Sequence, residues 1–450
     1  MKIKINTWLL PCRSYIRKWL LFVFLVLVLP QPALGAKNIQ KDIQDNIPFS
    51  TVIALEKAQK LIDTAKPSQA MDLLEKFKKE QIEEKNQVQP FLLFTLGNLC
   101  MEENQPEKAA LNYEECLNDE KGADFPPAWL NLAKASYDLG RFKKAGDCFI
   151  RGYELEQEKR SVILYYASNA FFSAKKYTLA LEAFNRLTKD HPDEIEPRWH
   201  ELTVHILMEL KRPEKALPHM EFLAENLEGQ AKIRWQETLL YHYMTLGMDE
   251  KALKFVSFLT EEYPLEPRWW RGVARLNLDK NNLTKALSAM RIYGFLTPLT
   301  DEEKRLVADL YLSVGIPSRA FDMYEQIPVQ EKRVGSVKNT IAALQQMNLD
   351  EKALEFLDKV INKKPESDEL KILKGNLLFS MEKFEESANL FEAVAPRDDS
   401  GRSWLMLGYS LWNLGEIKSA QKAMTRAVAF KQQEKAANLA LKALKKPLSF

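Results

Sequence analysis

Histidine is the residue type best suited to metal and proton chemistry, and the chain holds five histidines: His191, His200, His205, His219 and His242. The segment His200-Glu201 with His205 has the residue types of a zinc-protease helix, in which two histidines lie four residues apart on one face. Here they are five residues apart, so their side chains diverge by roughly 140° around a helix. We therefore expect no metal site and no cofactor.

Other catalytic motifs are also missing from the sequence. It has no Gly-rich phosphate loop ending in Lys-Ser/Thr, no Gly-x-Ser-x-Gly, no dinucleotide fingerprint and no calcium-loop spacing. Acidic pairs such as Glu261-Glu262 fall at predicted helix ends, where solvation explains them better than acid/base catalysis does. The sequence thus predicts a protein that is not an enzyme.

Small residues, by contrast, recur at a period of about 34 residues in a helix-forming context. We call this series the small-residue ladder; its members are Ala70, Ala109, Ala145, Ala180, Ala216, Ala252, Ala286, Ala320, Ala353, Ser387 and Ala420. Four positions after each member, one helical turn on, stands an apolar residue: Leu74, Tyr113, Phe149, Phe184, Met220, Val256, Met290, Tyr324, Leu357, Phe391 and Met424. The two series predict the buried stripe of one helix in each unit.

Helix-stop residues share the phase of the ladder. Five positions before a ladder residue stand Gly140, Gly247, Gly315 and Gly415, or Asn104, Asn281 and Asn348. These residue types favour the left-handed conformation that ends a helix. Twelve positions after it stand Pro192, Pro264, Pro298 and Pro365, which end the following helix. The pattern predicts eleven helix-turn-helix units.

The segment from Trp404 to Gly415, with Leu407-Gly408 three residues after the Trp and with Ala420, Met424 and Ala427 beyond it, carries the tetratricopeptide pattern. The sequence therefore resembles the tetratricopeptide repeat (TPR) family. The resemblance implies an all-α fold, a right-handed α-α superhelix (an α-solenoid) of about eleven repeats over residues 51–432. Residues 433–450 would then form a capping helix and tail.

In TPR proteins the first helix of each repeat lines a concave groove that binds other proteins. The resemblance places in that groove Phe91, Phe94, Asn98, Met101, Leu130, Lys134, Tyr137, Tyr165, Asn169 and Phe172. Asn98 and Asn169 would hold the backbone of an extended peptide, and the rings would supply contact area. The alternative is that some of these rings pack between neighbouring helices.

Three consecutive repeats begin alike, with Pro197-Arg198-Trp199, Ile233-Arg234-Trp235 and Pro267-Arg268-Trp269. By the resemblance, Arg198, Arg234 and Arg268 share one position at the groove rim, and Arg271 and Arg275 follow. Arginines in register suit an acidic partner. The alternative is that Glu201 and Glu237 neutralise them. A third candidate surface comprises Arg402, Leu405, Tyr409 and Trp412.

The N-terminus predicts export. Basic residues precede the apolar run Trp19 to Leu29, then Pro30 and the small-residue segment Ala33 to Ala36, as in a secretory signal peptide. The run spans roughly 16 Å as a helix, short of the ~30 Å hydrocarbon layer. We expect cleavage after Gly35, leaving a polar lead over residues 36–50 and a periplasmic protein. The alternative is an uncleaved anchor in the inner membrane.

The net charge bears on the class of partner, and the cysteine positions bear on the core. The formal charge of +2 falls to −3 when the five basic residues of the signal segment are removed, so nucleic acid is not an expected partner. After cleavage Cys100, Cys116 and Cys148 remain, at positions that predict core residues. A disulfide between Cys100 and Cys116 is the alternative in an oxidising compartment.

The sequence as a whole is similar to exported bacterial TPR proteins, including those associated with TonB-type energy transducers, outer-membrane assembly or exopolysaccharide export. We expect a non-catalytic scaffold for protein–protein interactions in the cell envelope. Two alternatives are cell-wall glycan binding and service as an accessory subunit of an envelope enzyme or export system. The identity of the partner and the oligomeric state stay open.

Overall fold

The computed structural model of the protein describes residues 47–120, 122–328 and 333–444. Within these ranges the chain is all α, with 23 α-helices, two short 3-10 helices and no strand. The predicted signal peptide (residues 1–35) and most of the polar lead lie outside the described residues. The chain divides into two compact units, Met1–Gly247 and Met248–Phe450, and each is described by itself.

In the first unit each helix packs against the helices before and after it in the chain. The helices are α1 (Phe49–Asp63), α2 (Pro67–Glu83), α3 (Pro90–Glu102), α4 (Pro106–Asn118), α5 (Pro126–Asp138), α6 (Phe142–Leu155), α7 (Ser161–Ser173), α8 (Tyr177–Asp190), α9 (Pro197–Glu209), α10 (Pro213–Asn226) and α11 (Gly229–Thr245). The first helices of successive repeats also touch, α3 with α5 and α7 with α9.

The second unit continues the same alternation. Its helices are α12 (Asp249–Glu262), α13 (Pro267–Asp279), α14 (Leu283–Leu296), α15 (Asp301–Ser313), α16 (Pro317–Glu325), α17 (Val334–Gln346), α18 (Asp350–Lys363), α19 (Asp368–Ser380), α20 (Phe384–Val394), α21 (Arg402–Asn413), α22 (Ile417–Val428) and α23 (Glu434–Leu444). Here α15, α17, α19 and α21 touch in succession.

The residues of the small-residue ladder lie where the two helices of each repeat pack together. All eleven ladder residues are fully buried, at 0% exposure, and the eleven apolar residues one turn later are at most 2% exposed. A small side chain at each ladder position allows two helices to approach closely, and the larger residue fills the space one turn on. The predicted periodicity is confirmed in every repeat.

The turn between the two helices of a repeat is also uniform. The residue five positions before each ladder residue has positive φ in all eleven repeats. The seven glycines and asparagines predicted to do so are confirmed. In the other four repeats the position is held by Ala65, Lys175, Lys211 and Glu382, residue types that pay a conformational penalty there and gave no sequence signal. The backbone geometry of the turn therefore prevails over local preference.

Prolines mark the helix ends as predicted. Helices α8, α12, α14 and α18 each end two residues before Pro192, Pro264, Pro298 and Pro365 respectively. Proline also opens several helices, such as α3 at Pro90 and α10 at Pro213, where its missing N–H removes no helical hydrogen bond.

The three described cysteines are core residues, as expected. Cys100, Cys116 and Cys148 are buried free thiols, so the alternative of a disulfide between Cys100 and Cys116 is wrong. Burial raises the pKa of Cys116 and of Cys148 to about 12, which keeps both thiols protonated and unreactive.

The last helix closes the second unit as predicted. Ala437 of α23 packs against Leu405 and Ala427 in one apolar cluster. Residues 445–450 of the predicted tail lie outside the described residues. Of the helices that are described, none combines the length and the apolar character that a membrane crossing requires.

Candidate functional site

The first helices of the first unit carry a hydrogen-bonded cluster around Asn98 on α3. Asn98 Oδ1 accepts a hydrogen bond from Tyr113 Oη on α4 at 2.8 Å and another from Asn131 Nδ2 on α5 at 2.7 Å. We call Asn98, Tyr113 and Asn131 the first-unit triad. An amide oxygen has two lone pairs, and these two donors use both of them. The orientation of the Asn98 amide is therefore fixed. Its NH2 group is left as a donor.

A second asparagine side chain, Asn169 on α7, also accepts a hydrogen bond from a tyrosine. Tyr137 Oη on α5 donates to Asn169 Oδ1 on α7 at 3.0 Å and lies 3.5 Å from Ser173 Oγ. The Tyr137 ring meets the edge of Phe142 at 5.0 Å. Tyr137 and Asn169, both predicted as groove residues, are thus brought together, and they join the first helices of two repeats.

The predicted phenylalanines are half-buried and in contact with other rings. Phe94 meets Phe125 edge-on at 4.9 Å and lies 6.3 Å from Phe91. Phe172 lies 5.6 Å from Tyr177 and 6.5 Å from His205. Phe94 therefore packs partly between repeats, as the alternative interpretation anticipated, and keeps a solvent-facing part.

Tyr165 corrects the prediction of an open ring at this position. It is only 5% exposed and stacks on Trp199 of the next repeat, with ring centroids 5.6 Å apart and planes 20° from parallel. Burial raises the pKa of Tyr165, and the positive charge of Arg198 opposes that rise. Leu130 is likewise buried. Tyr165 is a packing residue, because the large Trp199 side chain covers it.

Two of the rim arginines have as a neighbour the carboxylate two residues before them, and the predicted pairing with Glu237 stays a prediction. Arg198 Nε lies 2.6 Å from Glu196, and Arg268 Nε lies 2.9 Å from Glu266. Glu201, expected to neutralise an arginine, instead accepts a hydrogen bond from Trp235 Nε1 at 3.1 Å.

The rim arginines also divide between the two units. Arg198 and Arg234 are exposed in the first unit, and Arg268 belongs to the second. The predicted surface shared by all three stays a prediction.

In the second unit the predicted Arg271 and Arg275 are followed by a further arginine, Arg305, that was not predicted. Arg275 pairs with Asp279 at 3.0 Å on α13, and Arg305 on α15 pairs with Glu302 at 3.2 Å. Arg271 is half-buried on α13 and interacts with Tyr293, whose pKa is raised by burial. Arg305 occupies the repeat position of Arg271 one repeat later, and its spacing was the sequence signal that would have found it.

A triad with the geometry of the first recurs in the second unit. Asp309 Oδ1 on α15 accepts hydrogen bonds from Tyr324 Oη on α16 and from Asn339 Nδ2 on α17, the latter at 2.8 Å. We call Asp309, Tyr324 and Asn339 the second-unit triad. Burial and the neighbouring Asp309 carboxylate raise the pKa of Tyr324. Sequence reasoning missed this cluster.

The third candidate surface lies near the last helix. Tyr409 packs against the apolar cluster of Leu405, Ala427 and Ala437. Trp412 is half-buried and Arg402 is exposed. Tyr409 and Trp412 therefore remain partly accessible, while Leu405 is buried.

The histidines form a pair that the sequence did not indicate. His200 Nδ1 and His219 Nδ1 are 2.8 Å apart, and the His200 ring stacks on Phe222 at 4.0 Å. Burial and the neighbouring His219 lower the pKa of His200 to about 4. Among the residues that the structure describes, no group of three or more potential ligands could hold a metal ion.

Sequence profiles of the tetratricopeptide repeat match three parts of the chain. One profile matches residues 126–159 and 401–434, and a second matches residues 163–194. The first two segments contain the helix pairs α5–α6 and α21–α22, and the third covers α8 and all but the first two residues of α7. No curated protein matches the chain.

Several solved structures are similar in fold. The TPR protein YrrB, described as having an unusual peptide-binding site, is 16% identical, covers 42% of this chain and 97% of its own, and has a TM-score of 0.34. MamA (41-end) from Desulfovibrio magneticus RS-1 is 20% identical, covers 32% and 82%, and has a TM-score of 0.29. The Naa15/Naa10 structure bound to HypK-THB is 12% identical, covers 88% and 65%, and has a TM-score of 0.37.

Proposed function

The chain is a tetratricopeptide repeat protein, and from that premise we propose that it is a non-catalytic scaffold that binds an extended segment of another protein. The binding surface in the first unit comprises the first helices α3, α5 and α7. Protein–protein interaction is the function that a TPR fold supports, because its stacked repeats present one row of first helices to a partner.

The observation that carries the proposal is the fixed orientation of the Asn98 amide. Tyr113 and Asn131 occupy the Asn98 oxygen, so the group offered to a partner is the NH2 donor. Asn169 is held in the same sense, because its oxygen accepts from Tyr137. An extended peptide carries carbonyl oxygens at regular intervals that suit such donors.

Apolar contact area comes from rings beside these amides. Phe91 and Phe172 are half-buried, so each retains exposed surface. Phe91 lies two helical turns before Asn98 on α3, and Phe172 lies about one turn after Asn169 on α7. Large rings contribute contact energy at a low cost in conformational entropy. A peptide held by main-chain hydrogen bonds with side chains resting on these rings follows from the arrangement.

The proposal extends to the compartment. The basic segment, the apolar run from Trp19 to Leu29 and the small residues before Ala36 support export through a cleaved signal peptide. The partner is then another envelope protein, and a TonB-type transport or envelope-assembly machine is the setting that we propose. The N-terminal sequence supports this part of the proposal.

The sharpest test is Asn98→Asp in the mature chain beginning at Ala36. The substitution keeps the oxygen that Tyr113 and Asn131 bind but replaces the NH2 donor with a carboxylate oxygen, which repels a peptide carbonyl. Asp309 occupies the same repeat position in the second unit with the same two kinds of donor, so the fold accommodates it.

The variant is compared with wild type in capture of proteins from envelope extract after crosslinking. Asn185→Ala, an exposed asparagine on α8, is the matched control. We expect the captured protein to be lost from Asn98→Asp and retained by Asn185→Ala. Equal capture by all three chains would refute the first-unit surface. Retention on purified peptidoglycan without any captured protein would replace peptide binding with glycan binding.

A further inference from the structure

Asp309, on the first helix α15 of the second unit, is a carboxylate with no counter-ion among the residues that the structure describes. It is half-buried, and its Oδ1 is engaged by Tyr324 and Asn339. Over the described part of the chain, no lysine, arginine or histidine comes within ion-pair distance of either oxygen. Partly buried carboxylates are ordinarily balanced by a cation or by several donors.

The basic residues on nearby first helices have other carboxylates as partners. Arg275 pairs with Asp279 on its own helix, and Arg305 pairs with Glu302 one turn before it. The position equivalent to Asp309 on the next first helix, α17, is Ala342, which carries no charge. Within the described residues, these ion pairs therefore leave no cation to balance the charge of Asp309.

The first-unit triad shows what this difference means for a partner. Asn98 and Asp309 occupy the same repeat position, and each accepts from a tyrosine and an asparagine through one oxygen. The remaining group is an NH2 donor at Asn98 and a carboxylate oxygen at Asp309. The two sites thus present opposite hydrogen-bonding polarity on a common scaffold.

We propose that Asp309 is a binding site for a cationic side chain, lysine or arginine, of a protein partner. This inference rests on the proposed function, because it assumes that first helices bind segments of other proteins. The two internal donors fix the carboxylate in advance, so little orientation is lost when a cation binds. A charge-assisted hydrogen bond between ammonium or guanidinium and carboxylate is about twice as strong as a neutral one.

The test uses a phage library of random nine-residue peptides, selected against the mature chain and against its Asp309→Asn variant. Asp309→Asn keeps an oxygen for Tyr324 and Asn339, as Asn98 does in the first unit, and removes only the charge. We expect lysine or arginine to be enriched among peptides that bind wild type and not among those that bind Asp309→Asn. The affinity of a selected basic peptide should fall at least tenfold in the variant.

The outcomes separate this inference from the proposed function. Peptides that bind both chains equally, with no basic enrichment, overturn the role of Asp309 and leave peptide binding standing. Peptides whose binding is lost in Asn98→Asp but not in Asp309→Asn assign all recognition to the first unit, and also overturn it. A library that yields no binder to either chain overturns both proposals. Matching circular dichroism spectra of the chains exclude unfolding as the cause of a loss.

Discussion

Tyr113 Oη donates to Asn98 Oδ1 at 2.8 Å and joins the two helices of one repeat, while Asn131 ties the same oxygen to the next repeat. The second-unit triad repeats the arrangement at the same positions. The acceptor stands eleven residues before a ladder residue, the tyrosine four after it, and the asparagine fourteen before the next one. This spacing is a sequence pattern for a hydrogen bond between repeats.

Removing the hydroxyl of Tyr113 tests the pattern. Tyr113→Phe leaves the buried ring in place but takes one of the two donors from Asn98. We expect the free energy of unfolding to fall by about 1 kcal/mol, the usual net value of such a bond. Urea unfolding followed by circular dichroism measures it. The control is Tyr166→Phe, whose hydroxyl has no hydrogen-bond partner among the described residues; equal losses in both variants would contradict the prediction.

The sequence predicted the fold because the contacts that define it are periodic. Each ladder residue, such as Ala216, is fully buried on a helix that packs against the other helix of its own repeat, and it needs only to be small. The requirement is local and recurs every repeat, so it is visible in one sequence. Lys175 and Glu382 escaped prediction at the turns because the close packing on both sides dictates their φ, while their residue types do not favour it.

The candidate site was less predictable because exposure depends on pairs of repeats. Phe94 and Tyr165 share one repeat position, yet Tyr165 is buried by the ring of Trp199, while Phe94 meets the smaller Phe125. Position within a repeat indicates the direction of a side chain but not what covers it. Predicting the triads would have required knowing that a tyrosine on the second helix of a repeat reaches back to the first helix. Spacing alone does not show this.

The non-glycine turns predict a stabilising substitution. Lys175 is held at φ 58° between α7 and α8, a left-handed conformation that costs an L-residue about 1 kcal/mol relative to glycine. Lys175→Gly should therefore raise the free energy of unfolding, reduced somewhat by the greater freedom of glycine in the unfolded chain. A shift of the urea midpoint to higher concentration is the expected measurement.

Gly140→Ala is the reciprocal variant. Gly140 has φ 70°, and a Cβ added there would meet nothing within 4 Å, so the only cost is conformational. We expect a loss of about 1 kcal/mol. Should Lys175→Gly destabilise the chain while Gly140→Ala has no effect, turn strain would not be the governing factor.

The histidine pair predicts a pH dependence. The folded-state pKa of His200 is about 4, below the ordinary value of 6.5, because burial and His219 disfavour its charged form. The unfolded chain therefore binds more protons between these values, and stability is full above pH 6.5 and falls as the pH drops toward 4. Burial lowers the pKa of His219 in the same direction.

His200→Gln should reduce that acid sensitivity. The variant removes the group whose pKa is lowered to about 4 and leaves His219 without a neighbouring imidazole. We expect the urea midpoint to fall less between pH 7 and pH 5 than it does in wild type. His205, whose pKa is also lowered by burial, remains and accounts for part of the residual slope. An unchanged difference between the two pH values would show that the pair does not govern it.

The rim arginines predict that an acidic partner binds by charge and must compete with the glutamates already paired to them. Glu196 and Glu266 neutralise Arg198 and Arg268 at 2.6 and 2.9 Å, and an acidic partner must displace these exposed contacts. Because exposed ion pairs contribute only about 0–1 kcal/mol, a carboxylate-rich segment loses little free energy in displacing them. Changing Arg198, Arg234 and Arg268 together to Glu should leave helicity intact and abolish binding of a peptide rich in glutamate.

The opposite change sharpens the prediction. Glu196→Gln with Glu266→Gln removes the competing carboxylates, and binding of the same glutamate-rich peptide should become tighter at low salt. Because screening acts over about 10 Å at 0.1 M salt, the gain should shrink as salt is raised. Isothermal titration at two salt concentrations measures both variants. If neither set of substitutions alters the affinity, the arginines only stabilise their own helix starts, and an acidic partner must be abandoned.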